Sequence, residues 1–391
     1  MINIMKTNQS QKNIPTDWQQ VLLADVCKVN QGLQIPISER FTVPSKNRKV
    51  YITTQYLNGK SETEYIEGFS DSVVCTKDEI LMTRTGNSGI VVTGVEGVFH
   101  NNFFKVKPFK NITHKLLVYN LLSPYIQYKL LKLAGASTIP DLNHGDFYSI
   151  DLLLPPLSEQ NRIVSVLETW DKSIEKLTQK IKTKKQVKKY LMWDLLMGKK
   201  QLGGFKDKWQ TFEIGELLDY EQPSDYIVSD TDYSDEYKTP VLTANKGFVL
   251  GYTNETEGIY KNTPVIIFDD FTMDNKFVDF EFKVKSSAIK ILTPKNKDVN
   301  LRFVFERLQL INIVIGEHRR HYLSEYQYIT IDIPNIKEQN AIENILTTAD
   351  KEITELEKKL SIIKEQKRYL LNNLITGTIR TPETLSTNLT K

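Results

Sequence analysis

A chain of 391 residues with ordinary apolar (40%) and charged (25%) fractions is long enough for two folded domains, each with its own core. A net charge of +3 identifies no partner, and two cysteines, Cys27 and Cys75, are too few for a disulfide framework and stand in no metal-ligand spacing. They favour a reducing compartment. The segment before Trp18 has no apolar signal-type core, and no run of about 18 apolar residues could span a bilayer, so a cytoplasmic protein without membrane contact is expected.

In chain order, a polar tail over 1–16 leads into a first head over 17–155, a helix over 156–200, a second head over 201–334, a second helix over 335–380 and a polar tail over 381–391. The heads share landmarks but little sequence. Trp18-Gln19 with Leu23, Asp25 and Val26 matches Trp209-Gln210 with Ile214, Glu216 and Leu217. β-Branched and aromatic residues punctuated by Gly and Asn predict strands over Ile80–Thr83, Ile90–Thr93 and Phe103–Val106. In the second head they predict strands over Pro264–Phe268, Phe277–Val284 and Ser287–Leu292. Amphipathic helices are expected over Thr113–Leu133 and Asn300–Leu310, ending at Gly135 and Gly316, each followed by a polar loop and a last strand.

The helical segments are two copies of one sequence. Leu154–Gly198 and Ile333–Gly377 align without a gap at an offset of 179, matching Pro155/Pro334, Glu159-Gln160-Asn161/Glu338-Gln339-Asn340, Asp171-Lys172/Asp350-Lys351, Tyr190-Leu191/Tyr369-Leu370 and Gly198/Gly377. So long a period excludes a solenoid. Apolar residues recur at steps of four and three: Ile163, Leu167, Trp170, Ile174, Leu177, Ile181, then Leu191 and Leu195. The second copy runs Ile342, Leu346, Ala349, Ile353, Leu356, Leu360, Ile363, then Leu370 and Leu374. A 3.5-residue period sustained in this way predicts coiled-coil seams. Prolines 155, 156 and 334 mark the helix starts and Gly198 and Gly377 the caps, giving helices roughly 55–60 Å long that bury their seams on each other. The lysines from Lys172 to Lys200 form either a solvated face or one directed at phosphate or an acidic partner.

Catalytic signatures are missing. Glu281-Phe282-Lys283 with Asp269 and Asp270 upstream matches part of a nuclease metal site but lacks the Pro-Asp pair. Gly86-Asn87-Ser88-Gly89 lacks the spacing of a cofactor loop, Pro155-Pro156 follows Leu154 rather than Asn, and no phosphate-binding GxxxxGK[ST] occurs. His318 and His321 have no Cys or carboxylate cluster to complete a zinc site. The residues describe a binding module, with a structural protein whose coiled coil merely dimerises as the competing reading.

The tandem PPLSEQ/PNIKEQ segments, the heptads that follow them and the paired Trp-initiated heads resemble the specificity subunit of a type I restriction-modification system over nearly the whole chain. The resemblance implies an α+β fold: two globular target recognition domains of mixed strands and helices, each followed by a long helix. The helices would pack as an antiparallel coiled coil with pseudo-twofold symmetry. Each head would read half of a bipartite, asymmetric double-stranded DNA site. The coiled coil would set the spacing and dock two methyltransferase subunits that methylate adenine, with Trp170 and Trp193 as candidates for that surface although core packing is the commoner use. ATP-dependent restriction endonuclease/translocase subunits would join them. No cofactor is expected in this chain; S-adenosylmethionine, ATP and Mg would sit on the partners.

Base reading calls for side chains with fixed donor and acceptor pairs, Arg or Lys for guanine and Asn or Gln for adenine. In the first head, Arg84, Thr85, Asn87 and Ser88 occupy a Gly-flanked turn between strands, Asn101, Asn102 and Lys105 follow the next turn, and Ser137, Thr138 and Asn143 lie after Gly135, where members of the family contact DNA. Asn87 and Asn102 also suit turn formation alone. The second head offers Thr243, Asn245 and Lys246, then Asp269, Asp270 and Thr272, and a basic loop with His318, Arg319, Arg320, His321 and Tyr322. There the two arginines suit phosphate or guanine.

Overall fold

The computed structural model describes residues 14–60, 62–135, 140–245, 247–311 and 321–385. It divides into two compact units, one made of residues 1–177 with 359–391 and the other of residues 178–358. Each unit therefore joins one head to the start of the helix that follows it and to the far end of the other helix.

In the first unit, Gln19–Leu22 pairs antiparallel with Asp151–Leu154, which closes the head beside its entry and exit. A four-stranded antiparallel sheet runs in the order Cys27–Gln31, Phe103–Pro108, Ile80–Thr83, Val91–Val92. Ile80–Thr83 is buried along its whole length, as a central strand covered on both faces must be. A second four-stranded sheet runs Tyr65–Ile66, Lys49–Ile52, Gly97–Phe99, Val74–Cys75, with its middle pair parallel. In place of one helix over Thr113–Leu133 there are two, His114–Leu121 and Pro124–Ala134. Pro124 has no N–H to continue the first, and the Ser123 hydroxyl accepts the Ile126 N–H to start the second.

The second unit repeats the plan. Gln210–Glu213 pairs with Thr330–Ile333, and four strands run Leu218–Glu221, Ile289–Pro294, Val265–Asp269, Asn275–Val278. Thr239–Leu242 lies parallel to Lys283–Val284 and antiparallel to Val249–Thr253. The expected strand over Phe277–Val284 is two strands, because the chain leaves one sheet after Val278 and enters the other at Lys283. The helix expected over Asn300–Leu310 spans Leu301–Leu308, capped by the Asn300 side chain. Gly316 lies outside the described residues.

The long helices are Leu157–Leu196 and Ile336–Ile375, 40 residues each. Every heptad position named above is buried or half-buried, with Ile163, Leu167 and Ile342 at the dry extreme. The antiparallel sense is visible inside each unit. Lys367 bonds Asp171 in the first, and Lys188 bonds Asp350 at 2.6 Å in the second. Three lysines of the basic run therefore have a use inside the fold: Lys184, Lys185 and Lys188 pair with Glu352, Glu357 and Asp350. The seam ends inside the heads. Leu371, Leu374 and Ile375 join the core of the first unit, and Leu195 and Leu196 that of the second. Each such side chain contributes roughly 1.5–3 kcal/mol on burial. No described helix is long and apolar enough to cross a membrane.

Candidate functional site

Two kinds of site lie on each unit: a junction that holds head to helices, and the loop tips at one end of the sheets.

The junction explains the repeated Glu-Gln pair. Gln160 sits at the start of the first long helix, and its Nε2 donates to the Asn111 and Pro155 carbonyls while its Oε1 accepts the Thr113 N–H at 2.8 Å. Gln339 makes the matching set with the Asp298 and Pro334 carbonyls and the Asn300 N–H. One buried amide thus satisfies three backbone groups where a head helix begins beside a long helix. Glu159 is 1% exposed and accepts from Trp18 Nε1 at 2.9 Å and from Arg380 at 2.7 and 2.6 Å, while Arg380 also holds Asp17. Burial pushes the Glu159 carboxyl up, but the hydrogen bonds from Arg380 and Trp18 outweigh it and hold the group below the usual glutamate range. In the second unit Gln201 stands where Arg380 stands in the first, 179 residues apart. It bonds Glu338 Oε2 at 3.1 Å, and Glu338 Oε1 has no hydrogen-bond partner among the described residues. Gly377, with φ of 68°, lets the chain turn onto Pro15 and Trp18, where a Cβ would come within 2.8 Å of Pro15. Gly198 turns likewise onto Trp209.

At the loop tips of the first head, most of the expected readers serve the fold. Arg84 donates to the Leu142 carbonyl and to Asp141 Oδ2 at 2.7 Å, with its guanidinium 5.5 Å from the Phe104 ring centre. Thr85 bonds Asp141 Oδ1 at 2.6 Å, and the buried Ser88 hydroxyl donates to the Arg84 carbonyl. Together these three clasp the turn to residues 140–142. Lys105 is committed to the Val74 carbonyl and Glu79, under cover of Phe99. Asn143 caps the short helix His144–Tyr148 through the Asp146 N–H. Asn101 donates to Gln34. Asn87 is exposed and Asn102 half-buried, and neither side-chain amide has a hydrogen-bond partner among the described residues. Ser137 and Thr138 lie outside the described residues.

In the second head Asn245 and Thr272 are exposed at loop tips, whereas Thr243 is buried. Asp269 Oδ1 accepts the Phe271 and Thr272 N–H groups, shaping that turn, and Asp270 accepts the Tyr322 N–H. Tyr322 is 1% exposed, its ring against Tyr220, Phe268 and Tyr326, and His321 is equally buried. Tyr322 is thus a core residue, not the loop residue expected. Lys246, His318, Arg319 and Arg320 lie outside the described residues. The partial nuclease motif does not assemble: Lys283 is buried on Glu255 and the Glu257 carbonyl, while Glu281 is exposed. Among the described residues no group of three His, Cys, Asp or Glu could hold a metal ion. In the first head a cleft of about 450 Å3, walled by Lys28, Lys107 and Lys110, lies at the far end of the Phe103–Pro108 strand from the loop tips of that head. That places it about 17 Å away along the strand.

Residues 15–186 and again 206–365 match the family described as the type I restriction modification DNA specificity domain. The specificity subunit of the Escherichia coli type I restriction enzyme EcoR124I/EcoR124II is 42% identical over 189 residues, 45% of this chain and 46% of that protein. The chain thus spans about half the length of that relative. The MjaVIII specificity subunit of Methanocaldococcus jannaschii is 21% identical over an alignment covering 94% of both chains. In fold, the chain is similar to the crystal structure of a type I restriction-modification S subunit from M. genitalium, with a TM-score of 0.60 at 16% identity, covering 94% of this chain and 98% of that one. A second solved chain, from work on assembly and conformational transition of the type I system, gives a TM-score of 0.56 at 15% identity, covering 94% and 100%.

Proposed function

Since this chain belongs to the type I restriction-modification DNA specificity family, we propose that it is the non-catalytic subunit that tells a type I complex where to act. Its first head reads one half of a bipartite, asymmetric DNA site and its second head the other. The observation that carries the reading is one scaffold with two different tips. The same order of the four-stranded antiparallel sheet recurs in both heads, yet the turn after its central strand holds Arg84-Thr85-Gly86-Asn87 in one and Asp270-Phe271-Thr272-Met273 in the other. A duplicated frame with unlike tips suits unlike half-sites, since base edges are told apart by the donors and acceptors offered to them.

The residues proposed for contact are Asn87 and Asn102 in the first head, whose side-chain amides bond nothing among the described residues, and the exposed Asn245 and Thr272 in the second, each of which accepts one backbone N–H and keeps its donor. Arg84, Thr85 and Ser88 shape the turn that carries Asn87. The loop holding Arg319 and Arg320 is proposed for phosphate contacts, which position a protein without specifying sequence. The paired long helices fix the number of base pairs between half-sites. Their exposed aromatic side chains Tyr190, Trp193 and Tyr369 suit methyltransferase subunits, two of which would dock and flip the target adenine for methylation. S-adenosylmethionine, ATP and Mg belong to the partner subunits, including the ATP-dependent translocating endonuclease.

The test is genome-wide N6-methyladenine mapping in a methylation-free host that expresses this chain with its methyltransferase subunit. A bipartite motif that vanishes when the chain is omitted is the expected result. An assembled complex that leaves no motif would overturn the reading in favour of a coiled-coil scaffold without DNA readout.

A further inference from the structure

Beside the turn that carries Asn102 lies a cavity of about 150 Å3, walled by Arg40, Thr53, Thr54, Gln55, His100 and Asn102. Two of these residues are engaged within the fold. Arg40 donates to Glu64 at 2.9 Å and twice to the Ile35 carbonyl, and it lies over the Tyr51 ring. His100 Nδ1 accepts the Asn102 N–H at 3.1 Å, and burial together with the nearby Arg40 charge keeps its ring below the usual histidine range and neutral. Thr53 is buried, and its hydroxyl accepts the Tyr56 N–H. The remaining three, Thr54, Gln55 and Asn102, present a hydroxyl and two carboxamides that bond nothing among the described residues.

A rigid wall of committed groups with a rim of uncommitted amides is a preorganised recognition surface. It sits among the loop tips assigned to DNA, because the Arg84 N–H bonds the Asn102 carbonyl at 2.7 Å and ties this turn to its neighbour. The second head repeats the frame with other chemistry. The Lys285 N–H donates to the Leu242 carbonyl at 3.1 Å, as the His100 N–H donates to the Ile52 carbonyl at 3.0 Å. Counted from those bonds, Asn245 stands where Gln55 does and Lys285 where His100 does, both exposed, while the carbonyl that accepts the Asp270 N–H at 2.8 Å, as that of Asn102 accepts the Arg84 N–H, belongs to Ala288. Unlike side chains on matching strands mark the positions at which the two heads differ in what they read.

We infer that Thr54, Gln55 and Asn102 form the base-reading rim of the first head, with the Gln55 and Asn102 amides selecting adenine in one half-site. A carboxamide offers one donor and one acceptor at the spacing of adenine N7 and N6, whereas a carboxylate in its place can only accept, as from cytosine N4. The inference rests on the DNA-specificity reading and deepens it.

The experiment maps N6-methyladenine motifs for the wild-type complex and for complexes carrying Gln55→Ala, Gln55→Glu, Asn102→Ala and, in the second head, Asn245→Ala. Gln55 is exposed, so its variants should keep the wild-type melting temperature. Gln55→Ala is expected to relax one adenine position of one half-site by roughly ten- to a hundredfold in preference, with the other half-site and the spacer unchanged. Gln55→Glu should move that position towards cytosine, and Asn245→Ala should alter only the opposite half-site. Wild-type motifs from both Gln55→Ala and Asn102→Ala would overturn the assignment while leaving the specificity role intact. Failure of the wild-type complex to methylate any motif would instead remove the specificity role, and this inference with it.

Discussion

Arg380 and Gln201 occupy equivalent places in the two repeats, yet they leave their glutamates in different states. Glu159 has Arg380 and Trp18, whereas Glu338 has one amide and an oxygen that bonds nothing among the described residues. Removing one member of a buried charge pair leaves the other desolvated and unpaired, which costs about 3–5 kcal/mol. Arg380 is 42% exposed, so water screens part of its interaction and the lower end applies. Arg380→Ala is therefore expected to lower the stability of the first unit by about 3 kcal/mol in urea titrations at pH 7. Because the Glu159 carboxyl is held below its ordinary value of 4.5, its contribution is complete above that pH and is lost as pH falls through the depressed value. The wild-type advantage over Arg380→Ala should accordingly shrink in acid, and an advantage unchanged from pH 7 to pH 3 would contradict the assignment. Conversely, Gln201→Arg should supply Glu338 with the missing charge and raise the stability of the second unit by about 1 kcal/mol. A lower denaturation midpoint for that variant would show that the Gln201 site cannot seat a guanidinium.

Each long helix begins at a proline-marked strand end, and the glutamine in its first turn locks it to the head. Gln160→Ala would strand the Thr113 N–H and two carbonyls, at a cost of about 1–3 kcal/mol for a buried group left unsatisfied. Hydrogen exchange should show the loss at Thr113 and the start of His114–Leu121, with the second unit unaffected. Gln339→Ala should reproduce it around Asn300. Uniform destabilisation of both units would mean that this amide is not a local clamp. The heptads behave as the 3.5-residue period requires. At the ends of the seam the apolar positions share a core with the opposite helix and a head together: Leu374 with Ile163 and Leu167, and Leu195 with Ile342 and Leu346.

At the scale of the molecule, the chain is a twofold repeat in which each compact unit mixes segments far apart in sequence. If the paired helices fix the half-site spacing, matched insertions of whole turns in both should change the number of spacer base pairs and leave both half-sites as they were. Each added turn lengthens a helix by about 5.4 Å, comparable to the rise of one or two base pairs. Methylome mapping of the insertion variant decides the matter: altered half-sites with an unaltered spacer would sink the idea of a fixed frame.

The helical repeat, its caps and its seam were legible in the sequence, because a period of 3.5 and an ungapped offset of 179 record the packing of an element directly. Most central strands were legible for the same reason. The break at Ser123 was not read, because the amphipathic pattern runs through Pro124 and suggested one helix. The fate of the polar side chains was not legible. Arg84, Thr85, Ser88 and Lys105 have the residue types that read DNA, but Asp141, the Leu142 carbonyl, Val74 and Glu79 come from distant parts of the chain to occupy them. Tyr322 looked like a loop residue until Phe268 and Tyr326 closed over its ring. Gln55 carried no signal in its own segment. Only the tertiary structure brings it to the same cavity as Asn102 with its amide unspent, because whether a donor is free depends on which partners the fold delivers to it.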